Sequence, residues 1–348
     1  MDKSKKKLLL KDVAQILGVS TATVSNAFNR PSQLSRNLRE HILTRCQEIG
    51  YGGPNAAARS LRTGKTGIIG VMLSNYLSYS FSDAVAHEFL QGLAEVFEER
   101  QYNLLIMPAR DHVEMTSGYE AFVDGFIVYG PPQPQKLAQL VNQHKSIITV
   151  DFEIDGYVSV NVDNFKGAQL CAEHALAGLD SDDSVTVLGL RINERNHVCK
   201  LDDGVLFDES TITIQRLRGF QSAAKKINKT IPNDRIWHVP DNTHKLAYQA
   251  AKEALSVNKR PRVLLCMSDR IALGALQAAR HLGLRVPEDV KVTGFDDIPE
   301  SQTQHPTLTT IHQQSKDKGK IAAEIFFGMR QEKSLVLPTE LIIRESCP

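Results

Sequence analysis

The sequence predicts a small all-α domain followed by an α/β core of two lobes, each a doubly wound parallel sheet. The chain has 348 residues, which is too long for one ordinary hydrophobic core. Its first 50 residues show only helical patterns. From Gly67 onward, short apolar runs alternate with longer amphipathic segments, a pattern typical of parallel sheets covered by helices. The hydrophobic fraction of 42% excludes a disordered chain.

The N-terminal domain is predicted to contain three short helices. Gly18 supplies a turn after the first helix, and the Ser20 hydroxyl is expected to cap the second by accepting a hydrogen bond from the Thr23 amide. Ser35 caps the third helix, which Gly50 ends. The three helices are about Lys11–Leu17, Thr21–Asn29 and a segment after Ser35 whose apolar face is Leu38, Ile42, Cys46 and Ile49.

The core is predicted to contain seven strands with amphipathic helices between them, and this number of strands indicates two sheets. The strands are Ile68–Leu73, Leu104–Met107, Phe126–Tyr129, Ile147–Val150, Val185–Leu190, Val263–Met267 and Val290–Phe295. The helices are Ser82–Arg100, Lys136–His144, Phe165–Ala177, Arg216–Asn228, Lys245–Val257 and Ile271–Leu282.

Charge is distributed unevenly along the chain. Residues 1–65 contain twelve Lys and Arg but only four Asp and Glu, a net charge of +8, whereas the remaining residues carry −7. A basic domain joined to an acidic core predicts that the basic domain binds a polyanion and that the core does not. We expect the Lys5-Lys6-Lys7 run to contribute only loose attraction to phosphates.

Composition favours a cytoplasmic protein without a metal or cofactor. The five cysteines form no C-x-x-C pair, which is typical of reduced thiols. We find no secretion signal and no apolar run long enough to span a membrane. The long segment Arg191–Thr213 holds four potential metal ligands, but their spacing matches no zinc pattern, so we favour a surface flap or extra hairpin. These ligands are His197, Cys199, Asp202 and Asp203.

Several motifs closely resemble the LacI family of bacterial transcriptional regulators, and the resemblance runs over nearly the whole chain. The N-terminal part reads LKDVAQILGVSTATVSNAFNRPSQLS and GYGGPNAAARSLRTGKTGIIGV. The C-terminal part reads GLRVPEDVKVTGFDDIPE, PTLTTIHQ and LPTELIIRES. The resemblance implies a helix-turn-helix domain, a hinge helix and a core similar to periplasmic binding proteins. The implied function is a ligand-responsive regulator, interpreted as a repressor, that binds a palindromic operator as a homodimer.

The resemblance also implies which residues contact DNA. A glycine turn between two short helices lets the second lie in the major groove. The start of this recognition helix is then expected to read bases through Thr21, Ala22 and Asn26. Hydroxyl and amide side chains suit phosphate contacts, which position the protein without reading sequence. These side chains are Ser20, Thr23, Ser25 and Asn29.

Residues 54–61 match the hinge helix of the family. Its small residues, including Asn55 and Ala58, allow two such helices to approach over the minor groove, where Leu61 acts as an apolar wedge. The alternative is a passive linker. Gly52 and Gly53 lengthen the connection before it, so we expect a loose tether.

The domain boundaries follow from these segments. We expect the helix-turn-helix domain at 1–52, the hinge at 53–65 and the effector-binding core at 66–348. Within the core, the N-lobe is predicted at about 66–162 and 313–335, and the C-lobe at about 163–311 and 337–348. Three crossovers are expected near Asp163, Ile311 and Leu337.

The effector is expected to bind at the carboxyl ends of the core strands, as in other open parallel sheets. Carried over by position from the family, the effector-binding residues are Ser74, Asp151, Arg216, Ser268 and Asp296. Carboxylates pair with sugar hydroxyls, and a guanidinium bridges several oxygens. A sugar or a nucleoside-like metabolite suits such a cleft equally well. The alternative interpretation of three of the aspartates is that they cap helices; these are Asp269, Asp296 and Asp297.

Two other functions are alternatives to a ligand-responsive regulator. A solute-binding protein for a sugar-like ligand has the same core, but it lacks the N-terminal domain and carries a signal peptide. An enzyme is disfavoured because the chain contains no G-x-S-x-G, no G-x-x-x-x-G-K-[ST] and no H-E-x-x-H motif.

Overall fold

The computed structural model describes residues 8–53, 64–108, 118–202, 211–331 and 333–348. It divides into two units. The first comprises the described residues up to Ile68 together with Phe122–Asp124, and the second is the remaining core. No helix within these ranges is long and apolar enough to cross a membrane.

Three helices and one short 3-10 turn form the N-terminal domain. The second helix occupies the predicted residues, and the other two agree with prediction to within about one residue at each end. The helices are α1 (Leu10–Leu17), α2 (Thr21–Asn29) and α3 (Arg36–Glu48), with the 3-10 turn at Pro31–Gln33. Their common core contains Val13, Ala14, Val24, Ala27, Ile42, Cys46 and Tyr51. Leu38, expected on the apolar face of α3, is 37% exposed.

The described core contains nine α-helices and thirteen strands. The helices are α4 (Leu77–Ser80), α5 (Ala84–Arg100), α6 (Pro134–Val141), α7 (Asn164–Leu176), α8 (Ile212–Lys226), α9 (His244–Leu255), α10 (Asp269–His281), α11 (Glu300–Thr303) and α12 (Ser315–Phe326). The strands are β1 (Ile68–Leu73), β2 (Asn103–Pro108), β3 (Gly125–Tyr129), β4 (Ser146–Val150), β5 (Val158–Val162), β6 (Val185–Gly189), β7 (Cys199–Lys200), β8 (Ile236–His238), β9 (Val263–Cys266), β10 (Lys291–Thr293), β11 (Thr310–His312), β12 (Leu335–Leu337) and β13 (Glu340–Ile342). Short 3-10 turns lie at Tyr119–Phe122 and Asn233–Arg235.

The strands form two main sheets, as predicted. The first sheet has the order β12-β5-β4-β3-β1-β2, and the second has the order β10-β9-β6-β8-β7. The strand pairings described within these two sheets are parallel except at β7, which runs antiparallel to β8. A small antiparallel pair, β11 and β13, completes the strands. The edge strand β7 lies within the long segment that we expected to form a flap or hairpin.

Sequence patterns missed several short elements and one helix. Strand β5 reads VSVNV and β8 reads IWH, which are too short or too polar to show as apolar runs. The expected strand Val290–Phe295 is shorter in the structure, where β10 ends at Thr293, and the backbone has φ of +134° at Asp296. The helix α12 begins with Ser-Lys-Asp-Lys-Gly-Lys, which looks like a solvated surface segment.

Two glycines fix the position of α12. A Cβ atom at Gly92 of α5 would lie 1.9 Å from the carbonyl oxygen of Lys316, and one at Gly319 would lie 2.0 Å from that of Phe89. Side-chain carbons never approach backbone atoms this closely, so only glycine lets the two helices touch backbone to backbone. This contact places the first turn of α12 beside the first sheet.

Candidate functional site

The capped helix α2 presents its first turn to solvent. The Ser20 hydroxyl accepts a hydrogen bond from the Thr23 amide over 3.0 Å, as expected from the sequence. Thr21 and Ala22 are exposed and Asn26, one turn later, is half-buried. The three side chains proposed to read bases therefore lie near the accessible start of the helix.

The side chains proposed to contact phosphates also make local hydrogen bonds. The hydroxyls of Ser20 and Thr23 are 2.8 Å apart, and Asn29 Nδ2 donates to the Ser25 carbonyl over 3.0 Å. Ser20 and Asn29 are exposed, while the other two are half-buried. Arg39 of α3 donates to the Ala27 carbonyl over 3.0 Å and so holds α3 against α2.

The second of the two glycines at the start of the linker lies beside an aromatic ring of the N-terminal domain. Gly53 has φ of +109°, and a Cβ atom there would lie 3.0 Å from the ring of Phe28. That ring meets Tyr51 edge-on at 6.0 Å between centroids. Gly53 therefore lies against the ring of Phe28, whereas a Cβ atom at Gly52 would have no neighbour within 4 Å, and the loose tether stays a prediction. The hinge residues Asn55, Ala58 and Leu61 lie outside the described residues.

In the core, three of the five proposed effector residues join one buried chain of polar side chains, which we call the polar chain. Its neighbours are linked by hydrogen bonds or close ion pairs. In order, its members are Asp151, Lys318, Gln313, Asp296, Arg216 and Asn164. Asp151 follows β4 of the first sheet and Asp296 follows β10 of the second, so the polar chain joins the layers of both sheets.

Arg216 is the most heavily bonded member of the polar chain. Its Nε donates to Asn164 Oδ1 over 2.9 Å and its Nη1 donates to the Met267 carbonyl. Nη1 also lies 3.6 Å from Asp296 Oδ1, and the guanidinium carbon is 3.5 Å from the centroid of the Phe295 ring. Burial lowers the pKa of Arg216, yet a guanidinium stays charged in proteins.

The position of Asp296 is fixed by hydrogen bonds of its backbone as well as of its side chain. Its amide donates to the Ile311 carbonyl over 2.8 Å, and its Oδ1 accepts from Gln313 Nε2 over 2.6 Å. Burial raises the pKa of this carboxyl well above its usual value, although Arg216 acts in the opposite direction. Asp296 thus accepts a hydrogen bond from Gln313 and lies beside the guanidinium of Arg216. It is not a helix cap.

The other two proposed residues lie outside the polar chain. Ser268 caps α10 by accepting from the Ile271 amide over 3.1 Å, and its hydroxyl donates to Asn242 Oδ1 over 2.8 Å. The Ser74 amide donates to the Tyr129 carbonyl over 2.9 Å. Its side chain lies so close to Gly130 that a Cβ there would be 2.6 Å from that of Ser74.

Sequence reasoning missed Lys318, Gln313, Asn164 and Arg270. Arg270 donates to the Ser82 carbonyl and lies 3.9 Å from the carboxylate of Asp83, which links the start of α10 to the segment before α5. The periodicity of α12 was the available signal for Lys318, because Lys318 lies three residues before the apolar Ile321 on the same helix face. The amides of Gln313 and Asn164 carried no signal of their own.

Asp269 and Asp297 have structural partners instead of capping roles. Asp269 Oδ2 accepts from Ser301 Oγ over 2.6 Å and from the Ile298 amide over 3.0 Å. Burial raises its pKa to about 6. Asp297 accepts from Arg344 Nη2 over 2.7 Å and contacts His312. Burial opposes these bonds, but they still hold the pKa of Asp297 below its usual value.

Among the residues that the structure describes, no three His, Cys, Asp or Glu side chains are grouped to hold a metal ion. In the long segment after β6, Arg195 pairs with Asp202. The buried ring of His238 accepts from the Ile192 amide over 3.0 Å at Nδ1, which anchors the start of that segment. Asp203 lies outside the described residues.

The comparisons with known proteins match both the N-terminal helical domain and the α/β core. Residues 9–55 match the description "Bacterial regulatory proteins, lacI family", and residues 204–347 match a periplasmic binding protein-like domain. The HTH-type transcriptional regulator Rv3575c of Mycobacterium tuberculosis is 33% identical over 334 residues, 92% of this chain and 90% of the relative. The chain belongs to the LacI family. It is a helix-turn-helix transcriptional regulator, as the sequence predicted.

Other relatives and solved structures of LacI-family proteins extend the comparison. The HTH-type transcriptional repressor PurR of Vibrio vulnificus is 28% identical, over 97% of this chain and 98% of the relative. A lac repressor dimer bound to operator and the anti-inducer ONPF has a TM-score of 0.75 at 22% identity, covering 98% of this chain and 99% of that one. A CelR–cellobiose complex has a TM-score of 0.67 at 22% identity, covering 97% and 99%. These likenesses confirm the predicted fold class.

The raised pKa of Asp269 generates a prediction about stability. In the unfolded chain an aspartate titrates near pH 3.9, whereas here the folded value is about 6. The group therefore contributes stability that is fully present below about pH 3.9 and is lost as the pH rises through 6. Relative to Asp269→Asn, the free energy of unfolding of the wild type should fall by up to about 2.5 kcal/mol between pH 4 and pH 7.5.

Urea denaturation of both proteins across this pH range measures the difference. The quantity to compare is the change in the free energy of unfolding with pH. Its absolute value is less useful, because the Asp269→Asn variant also loses part of the hydrogen bonding at every pH. Asp155→Asn, in an exposed turn, is the matched control and should track the wild type. A difference between the wild type and Asp269→Asn that stays flat with pH contradicts the account.

Proposed function

We propose that this regulator represses transcription from a palindromic operator as a homodimer, and that a small polar effector controls its operator affinity. The observation that carries the proposal is the polar chain, which joins both sheets of the core in the same polypeptide as a capped, exposed recognition helix. A free solute-binding protein needs no such helix. We further propose that the protein acts in the cytoplasm and catalyses no reaction.

The proposed DNA contacts rest on α2, whose first residues Thr21 and Ala22 are exposed. Thr21, Ala22 and Asn26 lie where a helix-turn-helix domain places its base-reading side chains. Ser20, Thr23, Ser25 and Asn29 supply hydroxyl and amide groups for phosphates. The solved lac repressor dimer on its operator supports this arrangement by analogy.

The proposed effector site lies between two lobes, one around each main sheet. Asp151, Arg216 and Asp296 are its principal side chains, and Ser74 and Ser268 are proposed to contact the effector at its edges. The buried chain offers several donors and acceptors close together, which suits a ligand with many hydroxyl groups. The CelR–cellobiose structure supports a sugar effector by analogy.

We expect Arg216→Gln to abolish the effector response and to leave operator binding intact. Losing a charged hydrogen bond costs about 1.5–3 kcal/mol, or roughly tenfold or more in affinity. The effector is first found by thermal-shift screening of sugars, polyols and nucleosides, since a ligand at 100 times its Kd adds about 2.7 kcal/mol of stability. Fluorescence anisotropy of labelled operator then measures the response.

Two matched variants separate the two halves of the proposal. Arg218 lies two residues further along the same helix and is exposed, so Arg218→Gln should respond to the effector as the wild type does. Asn26→Ala should lose specific operator affinity while its core still binds the effector. An Arg216→Gln protein that titrates with effector like the wild type shows that the effector binds elsewhere.

We also propose that Leu61, with Asn55 and Ala58, forms a minor-groove hinge in the dimer. Two copies of a short helix can meet on DNA, and each Leu61 can insert at a central base step, where unstacking costs about a few kcal/mol. Leu61→Ala should then reduce operator affinity and operator bending together, while binding to non-specific DNA, which rests on Lys and Arg, stays unchanged.

Gel-shift phasing at fixed salt measures the bend, and light scattering of the complex should give two chains per operator. Non-specific DNA of the same length is the control. An unbent wild-type complex, a single chain per operator, or unchanged affinity in Leu61→Ala argues for a passive linker.

A further inference from the structure

A fully buried lysine lies at the centre of the polar chain. Lys318 is in the first turns of α12, and its side chain is 0% exposed. Its Nζ donates to Asp151 Oδ2 over 2.7 Å and to Gln313 Oε1 over 3.1 Å. The ammonium also lies 5.7 Å from the centroid of the Tyr129 ring. A buried ammonium is costly unless it is paired and hydrogen-bonded, so these partners fix its position closely.

Through its two acceptors, Lys318 orients a carboxyl group on each side of the site. Asp151, held directly, follows β4 of the first sheet. Gln313 accepts from Lys318 at Oε1, and this leaves its Nε2 to donate to Asp296 Oδ1 over 2.6 Å. Because the oxygen and nitrogen belong to one planar amide, the bond from Lys318 to Oε1 helps to aim Nε2 at Asp296, which its own backbone bond also holds.

Asp151 is left with one oxygen free. Its Oδ2 is taken by Lys318, whereas its Oδ1 is buried and has no hydrogen-bond partner among the residues that the structure describes. The side chain as a whole is only 5% exposed. An ionised carboxylate only accepts hydrogen bonds, and a buried acceptor without a donor is costly. A bound molecule that supplies an O–H to this oxygen therefore removes that cost.

We propose that Lys318 is a positioning residue that selects a neutral, polyhydroxylated effector by holding Asp151 with Oδ1 free to accept an effector hydroxyl. This rests on the proposed function, since it requires the effector to bind at the polar chain. An effector that presented a carboxylate or phosphate here would face the negative charge of Asp151 in a site with little water. The charge of Lys318 is matched by Asp151 and that of Arg216 by Asp296, so neither cation offers such an anion an unpaired partner.

The test is a double-mutant cycle on the full-length chain. Its probes are neutral hexoses and free polyols, the corresponding uronates and sugar phosphates, and deoxy analogues that lack one hydroxyl each. Lys318→Met should weaken binding of the best neutral polyol at least tenfold by calorimetry. In an Asp151→Asn background the same substitution should change affinity by less than threefold, because the residue it positions has already been altered.

Two further variants keep the proposal testable if Lys318→Met folds poorly. Asp151→Asn retains Lys318, and it should lose the preference of the wild type for the polyol over one deoxy analogue. The control is Lys316→Met. Lys316 lies two residues earlier on α12, is half-exposed and pairs with Glu95, so this variant should bind the polyol as the wild type does.

The outcomes separate this inference from the proposed function. If Arg216→Gln abolishes polyol binding but Lys318→Met binds as the wild type does, or if the two substitutions in the cycle are additive, the inference fails and the proposed site stands. If a uronate or sugar phosphate binds more tightly than every neutral polyol, or if no neutral polyol binds, the inference fails. If the polyol binds and Arg216→Gln has no effect, the proposed site itself is wrong.

Discussion

Burial of charge between the two sheets is the constraint on which the rest of the core depends. The side chains of Lys318, Asp151, Arg216 and Asp296 are 0%, 5%, 4% and 7% exposed. Taking such ions out of water costs several kcal/mol each unless partners replace the lost hydration. The elements that carry them must therefore meet in one arrangement. The backbone contact at Gly319 sets this arrangement for α12, because it brings the neighbouring Lys318 to its partners.

Local sequence signals predicted the N-terminal domain well. A capping serine, a turn glycine and the apolar spacing of α2 all lie within about ten residues, and each acts on its immediate neighbours. The strands of the core followed from apolar runs for the same reason. The sequence therefore predicted the fold class, the family and most of the buried strands.

The interior of the proposed effector site depends on partners that are distant in sequence, and it was predicted only in part. Asp151 and Lys318 are 167 residues apart in sequence, and neither the aspartate nor the lysine signals its partner. A Lys-Asp-Lys-Gly-Lys segment indicates a solvated surface until the sheet and α5 are in place. Asp269, for which the sequence left open a capping role, binds Ser301 and Thr310 instead because the chain returns beside it. Residue types showed where polar groups gather, and packing decided which of them pair.

A polar chain that joins the two sheets gives an effector a direct means of favouring one arrangement of the lobes. A ligand shifts a conformational equilibrium only by its difference in affinity for the two states. In the proposed binding mode, effector hydroxyls bound to both Asp151 and Asp296 would supply such a difference, since these residues follow strands of different sheets. By linkage, an effector that changes operator affinity must have its own affinity changed by operator to the same extent.

The most direct test of this account is a crystal structure of the protein with the tightest-binding polyol from the screen. The account predicts an effector hydroxyl about 2.6–3.0 Å from Asp151 Oδ1, with Lys318 Nζ still bonded to Asp151 Oδ2 and Arg216 in contact with the same ligand. A ligand bound away from the polar chain, or one that displaces Lys318 from Asp151, would contradict it.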